Sequence, residues 1–507
     1  MRLIIAYTLL LLSISVVNGQ NKITNQLVQS VSETSLKANL NIIAGSRFGG
    51  RMAASKGDSL AIQYISDWFR THHLSKTYHT ATPYLQNVIL THSNYSKSTL
   101  TLDEKAFDID KQWTNFDISN NFSVTSTEVL FIGYGISAPG FDELKGMDIG
   151  GKLIVLLSEF PNISDGKKII DEKDMPDEEQ QLMSIISKKP AGILFYEPYF
   201  KDVLKESEYK QIFEPYRIYP ETKMPLFNGC LISSEIGNCL VGGSIDSLYQ
   251  LILHTGKPHS FNTYKKITLS ITKTEEHKNT DNIVAMIKGT YEKLPCVVVT
   301  AHHDHEGKAG NSTYFGADDN GTGTTVLLEI SKILGNASAK GIRPKRTIVF
   351  VSTAAEEQGL IGGYAYVQHP VTPLSKTYCN INIDMLGRVD SLYTGKRADS
   401  NYVYCLYNDS SKNVFTPKKL KEINRKYGRL KLDTLYDAKS RKIGPHSLMT
   451  RSDNFPFIQK GIPAIWFFSG YHKDYHQPTD TPNRINYPLF KRRTQLVLAT
   501  LWELANE

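Results

Sequence analysis

The chain has 507 residues, of which 40% are hydrophobic and 21% are charged, and its formal net charge is +7. This composition is typical of a globular protein with a large core, and the length favours two domains. The positive charge comes mostly from lysines spread along the chain. They form no dense basic cluster interleaved with aromatic residues, so the sequence predicts no nucleic-acid partner.

The first residues have the pattern of an export signal. Arg2 gives a positive start, an apolar run follows from Leu3 to Val17, and Gly19 is a small residue at the cleavage position. The run is too short to span a membrane comfortably, and no other segment approaches that length. We therefore expect residues 1–19 to be a signal peptide and the mature chain to be exported, either secreted or periplasmic, without a membrane span.

The chain continues with a helical pattern at residues 21–37 and a glycine-rich loop at 44–51. Apolar residues recur at helical spacing between Asp58 and Thr71, which predicts an amphipathic helix. Residues 84–115 have the pattern of strands. We assign residues 20–124 to the first part of the main domain.

The composition changes near residue 125. Apolar strand patterns at 128–135 and 150–157, a short helical pattern at 183–188 and a strand pattern at 191–195 follow one another. This block contains no cluster of metal-binding residue types. We predict that residues 125–262 form a smaller, β-rich inserted domain and that the main domain resumes at 263–507.

From residue 266 onward, strand and helix patterns alternate. Strands are predicted at 283–288, 296–300, 346–352, 379–383, 402–406 and 464–468, and helices at 321–334, 360–367 and 489–505. Alternation of this kind predicts an α/β fold with a mostly parallel central sheet and helices on both faces. His302, Glu356, Glu357 and Asp384 fall at or just past the carboxyl ends of predicted strands, where open α/β sheets bind ligands.

Histidines and carboxylates recur in five motifs of this half. They are Thr300–His305, Gly316–Gly323, Ala355–Gly359, Asn382–Met385 and Tyr475–Asp480. Zinc binds histidine nitrogen and carboxylate oxygen, and catalytic zinc sites keep a position for water. We therefore predict two zinc ions per chain, with ligands His302, Asp318, Glu357, Asp384 and His476.

The roles of these ligands follow from their chemistry. A carboxylate can offer one oxygen to each of two ions, so Asp318 is expected to bridge them. His302 and Glu357 are then assigned to one ion, and Asp384 and His476 to the other.

Glu356, Tyr475 and Asp304 are the predicted catalytic residues. Glu356 adjoins a predicted ligand, and a free carboxylate beside a metal-bound water is suited to act as a general base. Tyr475 is placed to donate a hydrogen bond to the developing oxyanion. Asp304 and Asp480 lie near the ligand histidines in sequence and are expected to orient them.

The five cysteines include no CxxC pair, which excludes a zinc site of closely spaced thiolates. Cys230 and Cys239 are close enough in sequence to form a disulfide in an exported protein, and the sequence leaves this open. Cys296, Cys379 and Cys405 lie in apolar runs and are expected to be buried thiols.

Together the motifs resemble those of the di-zinc exopeptidases of the aminopeptidase Y and bacterial leucyl aminopeptidase type. The matching segments are HxD at 302–304, GADDN at 316–320, EEQGL at 356–360, IDMLG at 383–387 and YHQPTDT at 475–481. The resemblance implies a zinc-exopeptidase (phosphorylase/hydrolase-like) fold, the same ligands and base, and a cis peptide bond between Asp318 and Asp319. It also implies that the inserted block is a protease-associated (PA) domain. Relatives often carry a non-ligand histidine where this chain has Asn454.

The resemblance implies a secreted metallo-aminopeptidase whose partners are peptides with a free N-terminus. A glutaminyl-peptide cyclotransferase of this fold would use one zinc ion, and a non-catalytic binding protein would have lost ligands, so the complete set argues against both. A carboxypeptidase needs a cation for the substrate carboxylate. Arg388 is the candidate, but a structural salt bridge is the favoured role for it. The preferred N-terminal residue and the oligomeric state do not follow from the sequence.

Overall fold

The computed structural model describes residues 21–115, 121–158, 178–205, 227–393, 400–443 and 447–507. The chain forms two compact units, one from Met1–Leu90 with Lys278–Glu507 and the other from Thr91–His277. The predicted signal peptide lies outside the described residues. Across the described ranges, no helix has both the length and the apolar character needed to cross a membrane.

The first unit is built on an eight-stranded sheet. In order of pairing, its strands are Leu85–Asn94, Thr274–Ile287, Ile348–Thr353, Cys296–His302, Thr377–Ile383, Ala464–Phe468, Tyr402–Leu406 and Lys431–Asp433. The four strands from Ile348–Thr353 to Ala464–Phe468 run parallel, whereas Thr274–Ile287 and Tyr402–Leu406 pair with them antiparallel. The prediction of a mostly parallel central sheet is therefore confirmed.

Helices cover this sheet on both faces. The helices of this unit are residues 21–29, Glu33–Ile43, Lys56–Thr71, Gly323–Ala339, Ile361–Gln368, Pro417–Ile423, Asp437–Ser440, Asn454–Gln459 and Tyr487–Ala505. Val297 and Val299 belong to one apolar cluster, whereas Val298 belongs to another that includes Tyr366 and Phe457. Because successive side chains of a strand point to opposite faces, apolar packing on both sides explains the uninterrupted apolar sequence of this strand.

Shorter turns and one hairpin complete the first unit. The turns are Ser46–Phe48, Ala317–Thr322, Leu374–Lys376, Ser391–Tyr393, Asp409–Ser411, Asn424–Gly428, Leu448–Thr450 and Pro482–Arg484, and the hairpin pairs Gly307–Ala309 with Ser312–Tyr314. The helix predicted at 21–37 is interrupted at Ser32. The backbone of Ser32 is extended, and the Ser32 side chain accepts a hydrogen bond from the Ser35 amide. Ser32 therefore caps a new helix that begins at Glu33.

The second unit contains two larger sheets. The six-stranded sheet has the order Phe261–Asn262, Val129–Phe131, Leu153–Leu157, Gly192–Tyr196, Gly229–Ile232 and Trp113–Asn115, and the four-stranded sheet has the order Lys105–Phe107, Thr99–Leu102, Ile267–Ile271 and Phe122–Ser126. Ser137–Ala138 pairs with Phe141–Asp142. Its helices within the described ranges are Glu178–Ser187, Ser234–Val241 and Ile245–Thr255, and residues 200–205 are also helical.

Both ends of this unit lie outside the predicted boundaries at 125 and 262. Strand Ile267–Ile271 pairs with Thr99–Leu102 on one side and with Phe122–Ser126 on the other. This pairing joins segments from both sides of the predicted block into one sheet, so the unit extends from Thr91 to His277. The change in composition near residue 125 therefore falls inside the unit.

All five cysteines lie in described ranges, and all five are free thiols. The open possibility of a Cys230–Cys239 disulfide is therefore not realised. Cys296, Cys379 and Cys405 are buried, as predicted from their apolar surroundings.

A buried carboxyl group lies in the core of the second unit. Glu143 is 1% exposed, and its Oε2 accepts hydrogen bonds from the amides of Tyr134 at 2.9 Å and Ile136 at 3.1 Å. Burial raises the pKa of Glu143 to about 8, although the backbone hydrogen bonds oppose this shift. The group is therefore largely protonated at neutral pH in the folded protein.

We predict that the second unit loses stability as pH rises from about 4.5 to about 8, because over this window the folded Glu143 carboxyl holds a proton that the unfolded one has released. The loss should be on the order of 5 kcal/mol and should be reduced in Glu143→Gln. Hydrogen exchange of peptides from Thr91–His277, corrected for intrinsic rates, measures it. The exposed Glu128 gives a control, since Glu128→Gln should keep the wild-type slope. An unchanged slope in Glu143→Gln would refute the assignment.

Candidate metal centre

The predicted ligands meet at neighbouring strand ends. His302 is the last residue of strand Cys296–His302, Glu356 and Glu357 follow strand Ile348–Thr353, and Asp384 directly follows strand Thr377–Ile383. These three strands are adjacent and parallel, so their carboxyl ends lie along one edge of the sheet. The structure thus brings these side chains together.

The Nε2 atom of His302 lies at the centre of a group of carboxylates. It is 3.5 Å from Asp319 Oδ1, 3.6 Å from Asp384 Oδ1 and 3.8 Å from Glu356 Oε2. Two sets of side chains have ligand atoms within 4.8 Å of one another, His302 with Glu356 and Asp384, and His302 with Asp319 and Glu357. A metal ion fits this arrangement, because it satisfies a histidine nitrogen and several carboxylate oxygens at once.

The residue between the two ligand histidines is Asp319. Its Oδ1 faces His302, and its Oδ2 lies 3.1 Å from Nε2 of His476. Asp318 points elsewhere, since its Oδ1 accepts a hydrogen bond from the Gly387 amide at 2.6 Å and its Oδ2 faces His472 at 3.3 Å. The position predicted for Asp318 is therefore taken by its neighbour. Two adjacent aspartates are chemically equivalent in sequence, and the path of the backbone decides which one faces the histidines.

The cis peptide bond is also one residue further along than predicted. It joins Asp319 to Asn320, not Asp318 to Asp319. The side chain of Asn320 contacts the backbone of the third ligand strand, where its Nδ2 donates to the Ile383 carbonyl at 3.0 Å. The Asp319 loop is thus attached directly to the strand that precedes Asp384.

The pairing of histidines with carboxylates differs from the expectation as well. His476 Nε2 lies 3.3 Å from Glu357 Oε2, whereas His302 lies close to Asp384. His302 and Asp384 therefore form one side of the centre, His476 and Glu357 form the other, and Asp319 lies between them. The sequence predicted the opposite pairing, because order along the chain does not determine which strand ends face the closing loop.

Glu356 and Glu357 are adjacent in sequence but differ in their acid–base properties. Burial and Asp319 raise the pKa of Glu357, but His476 and His305 outweigh both and lower it to about 2. Burial, reinforced by Glu357, raises the pKa of Glu356 well above its usual value despite the opposing effect of His302. The opposite shifts show that these two neighbouring carboxyl groups lie in different electrostatic surroundings.

Asp304 and Asp480 hold the backbone of the site. Asp304 accepts hydrogen bonds from the amides of Glu356 at 3.1 Å and Glu357 at 3.3 Å, and its carbonyl lies 3.3 Å from His302 Nδ1. Asp304 therefore positions other groups and is not placed to touch a substrate. Asp480 accepts from the amide of Asp319 at 3.2 Å, so it fixes the Asp319 loop and not His476 as expected.

Several residues of the site were not predicted from the sequence. His305 Nδ1 lies 2.6 Å from Glu357 Oε1, and Glu306 Oε1 lies 2.8 Å from His476 Nδ1. Both follow His302 in the same loop, and this density of polar residues after a buried strand was the available signal. His303 points away and meets Asp58 at 3.1 Å.

Arg51, in the glycine-rich loop, is fully buried behind the centre. Its guanidinium donates to the carbonyls of His303 at 2.7 Å, Phe315 at 2.8 Å and Gly316 at 2.9 Å. Burial lowers the pKa of Arg51 to about 10, and the neighbouring carboxylates limit that fall, so the side chain stays charged at neutral pH. Arg51 therefore joins the loop that follows His302 to the loop that precedes Asp319.

The structure also shows the surroundings of Tyr475, Asn454 and Arg388, which the sequence had singled out. Burial raises the pKa of Tyr475 well above its usual value, so the hydroxyl keeps its proton and can donate it in a hydrogen bond. Asn454 donates from Nδ2 to the Met449 carbonyl at 2.7 Å, a structural contact. Arg388 forms the expected salt bridge, 2.5 Å from Asp474.

The chemistry of the buried donors fits a metal. In the described part of the chain, Nε2 of His302 and Oδ1 of Asp384 are buried without a hydrogen-bond partner and lie 3.6 Å apart. Unsatisfied buried polar atoms are costly, and a shared metal ion would satisfy both.

We predict that Asp319→Asn weakens zinc binding at least about tenfold, because an amide nitrogen cannot replace the second carboxylate oxygen. The matched change in the neighbouring residue, Asp318→Asn, keeps an oxygen for the Gly387 amide and should retain the metal. Zinc content after dialysis against a weak chelator distinguishes the two variants. Equal loss of zinc from both would contradict the placement of Asp319 between the two sides.

Known proteins resemble parts of this sequence. Residues 282–501 match the model of peptidase family M28. The chain is 30% identical to aminopeptidase YwaD of Bacillus subtilis over 258 residues. This alignment covers 47% of this chain and 48% of that protein. It is 35% identical to aminopeptidase NAALADL1 of Rattus norvegicus over 130 residues, and this alignment covers 25% of this chain and 16% of that protein. The matched regions thus span about half or less of these relatives.

A solved structure gives the same fold. The structure of an aminopeptidase from Aneurinibacillus sp. strain AM-1 aligns with a TM-score of 0.55 at 16% identity, and the alignment covers 95% of this chain and 96% of that one. This confirms the predicted zinc-exopeptidase fold. The region at residues 282–501, which contains every predicted metal ligand, therefore matches peptidase family M28.

Proposed function

We propose that this protein is a hydrolase that removes N-terminal residues from peptides, a metallo-aminopeptidase with two zinc ions per chain. The observation that supports it best is the position of Asp319, with one carboxylate oxygen toward His302 and the other toward His476. A carboxylate between two sets of ligands is the feature that a two-metal site requires. The similarity to aminopeptidase YwaD favours the same reaction class.

Each ligand has a place in this proposal. His302 and Asp384 would hold one ion, His476 and Glu357 would hold the other, and Asp319 would serve as a ligand to both. When bound, such ions lower the pKa of a water molecule and polarise the scissile carbonyl.

The chain itself moves the proton. Glu356, whose Oε2 lies 3.8 Å from Nε2 of His302, would take the proton of the attacking water on its carboxylate, because the positive charge of bound metal favours the ionised form of a neighbouring carboxyl group. It then delivers that proton to the nitrogen of the leaving amine. The Tyr475 hydroxyl, which keeps its proton, donates a hydrogen bond to the oxyanion that forms at the carbonyl.

The charge of the centre suits a substrate with a free amine. Asp319, Glu356, Glu357 and Asp384 lie around one edge of the sheet, and an N-terminal ammonium is attracted to such a concentration of acidic groups. Arg388 is the candidate cation for a substrate carboxylate in a carboxypeptidase. Its side chain is 12% exposed and is held by Asp474 and Asp480, which argues against a carboxypeptidase.

Two further parts of the proposal rest on sequence. Residues 1–19 support export of the mature protein. The glycine-containing strand segments at 132–136 and 150–157 support assignment of the second unit as a PA domain.

The direct test is hydrolysis of aminoacyl-anilides by the purified chain, before and after metal removal and zinc re-addition. Free-amine substrates should be cleaved only with zinc present, and their N-acetylated counterparts should not be cleaved. Cleavage of acetylated substrates at the same rate would exclude an aminopeptidase. Ranking the panel also gives the preferred N-terminal residue.

We predict that Glu356→Gln lowers kcat by about 10²- to 10⁴-fold, because the amide cannot accept the proton of water. Zinc content should stay at the wild-type level, since Glu356 is not among the proposed ligands. The exposed Glu422 supplies the control, and Glu422→Gln should leave kcat unchanged. Near-normal turnover in Glu356→Gln would remove Glu356 as the base.

We predict that Tyr475→Phe lowers kcat by about 10²-fold and changes KM much less, because the lost hydrogen bond acts on the transition state. The ring of Tyr475 stacks on that of His476 with centroids 3.9 Å apart, and phenylalanine preserves this contact. Steady-state kinetics on the best anilide separates the two constants, with Tyr291→Phe, at an exposed tyrosine, as the control. An unchanged kcat would exclude the hydroxyl from the reaction.

A further inference from the structure

Glu306 contacts the back of a ligand histidine. It lies in the loop after strand Cys296–His302 and is 1% exposed. Its Oε1 is 2.8 Å from Nδ1 of His476, whereas Nε2 of the same ring faces Asp319 Oδ2 at 3.1 Å and Glu357 Oε2 at 3.3 Å. The imidazole ring therefore separates Glu306 from the ligand carboxylates.

We propose that Glu306 is a positioning residue that fixes the tautomer and the orientation of His476. The Glu306 carboxylate accepts a hydrogen bond from Nδ1–H, so Nε2 keeps its lone pair and points it between Asp319 and Glu357. This proposal rests on the proposed function, in which His476 is a zinc ligand. A carboxylate behind a ligand histidine also makes the other nitrogen a better donor to a metal.

His476 needs such support more than the other ligands do. Its side chain is 23% exposed, whereas that of His302 is 1% exposed and those of Asp319, Glu357 and Asp384 are 6–7% exposed. His302 ends a buried strand, but His476 lies in an irregular segment. A partly exposed ring on such a segment can rotate and exchange its tautomer unless a second partner holds it.

His305 and Glu306 are adjacent in sequence, and they contact the side chains of Glu357 and His476, respectively. His305 Nδ1 contacts Glu357 Oε1 at 2.6 Å, and Glu306 contacts His476. The rings of His305 and His476 meet edge to face with centroids 5.7 Å apart, and Tyr475 stacks on His476. The loop after His302 thus sets the geometry of the ion site to which His302 itself does not belong.

The test measures zinc binding to the metal-free full-length protein by competition with a chromophoric chelator. In Glu306→Leu, one site should weaken by about 10- to 100-fold and the other should keep its affinity. Glu306→Gln retains an oxygen that accepts from Nδ1–H, so it should restore most of the lost affinity. Equal weakening of both sites, or no change in either, would overturn the proposal.

Glu329 provides the control for removal of a buried carboxylate. It is fully buried in helix Gly323–Ala339 and contacts Ser32 and Ser35 instead of the metal centre. Glu329→Gln should leave the two zinc affinities unchanged. This should hold even if the variant loses as much folding stability, measured as the urea concentration at the midpoint of unfolding, as Glu306→Leu does. A site-selective loss in Glu329→Gln would show that lowered stability, and not a lost contact, weakens the metal.

A measurement on the wild-type protein keeps the proposal testable if Glu306→Leu does not fold. Histidine ¹⁵N NMR of the zinc-loaded protein should show that Nδ1 of His476 bears the proton, and a proton on Nε2 would overturn the proposal. Neither readout uses a peptide substrate. A failed anilide assay with two zinc affinities intact would therefore count against the aminopeptidase proposal alone, and absence of zinc binding in the wild type would refute both.

Discussion

The first unit is organised around the compensation of negative charge that is buried at one edge of its sheet. The side chains of Asp319, Glu356, Glu357 and Asp384 are at most 10% exposed and surround a small number of histidine nitrogens. Taking an ionised carboxylate out of water costs several kcal/mol unless charges or hydrogen bonds offset that cost. Histidines and backbone amides offset part of it, and divalent cations are the charges that the remaining oxygens suit. In the second unit, the buried Glu143 has no such cation beside it in the contacts described above. Burial raises its pKa to about 8, so a bound proton neutralises this carboxyl group at neutral pH.

Much of the fold followed from local sequence because continuous apolar runs allow few alternatives. The strand Cys296–His302 is apolar on both faces, and the structure packs both faces. The single helix expected at 21–37 was wrong, because the cap formed by Ser32 outweighs the continuity of the pattern. The boundaries of the second unit were misplaced because strand Ile267–Ile271 recruits partners from both sides of the apparent insertion.

The sequence predicted most of the residues that form the site, but it did not predict which of them contact one another. The motifs identified His302, Glu357, Asp384 and His476, because zinc chemistry restricts the residue types. They pointed to Asp318 where the structure places Asp319, because the path of the backbone alone distinguishes these two residues. Contacts such as Glu306 with His476 join segments far apart in the chain, so no local pattern reports them.

Arg51 has consequences beyond the pairing of two loops. Its guanidinium holds the carbonyl of His303 at one end of the segment 303–316 and those of Phe315 and Gly316 at the other. The hairpin of Gly307–Ala309 and Ser312–Tyr314 leaves and returns between these anchors. At its tip, a side chain on Gly310 would meet nothing within 4 Å. Residues added at this tip would lie beyond the anchors that Arg51 holds, so loop grafting at Gly310 can lengthen the hairpin without moving those anchors.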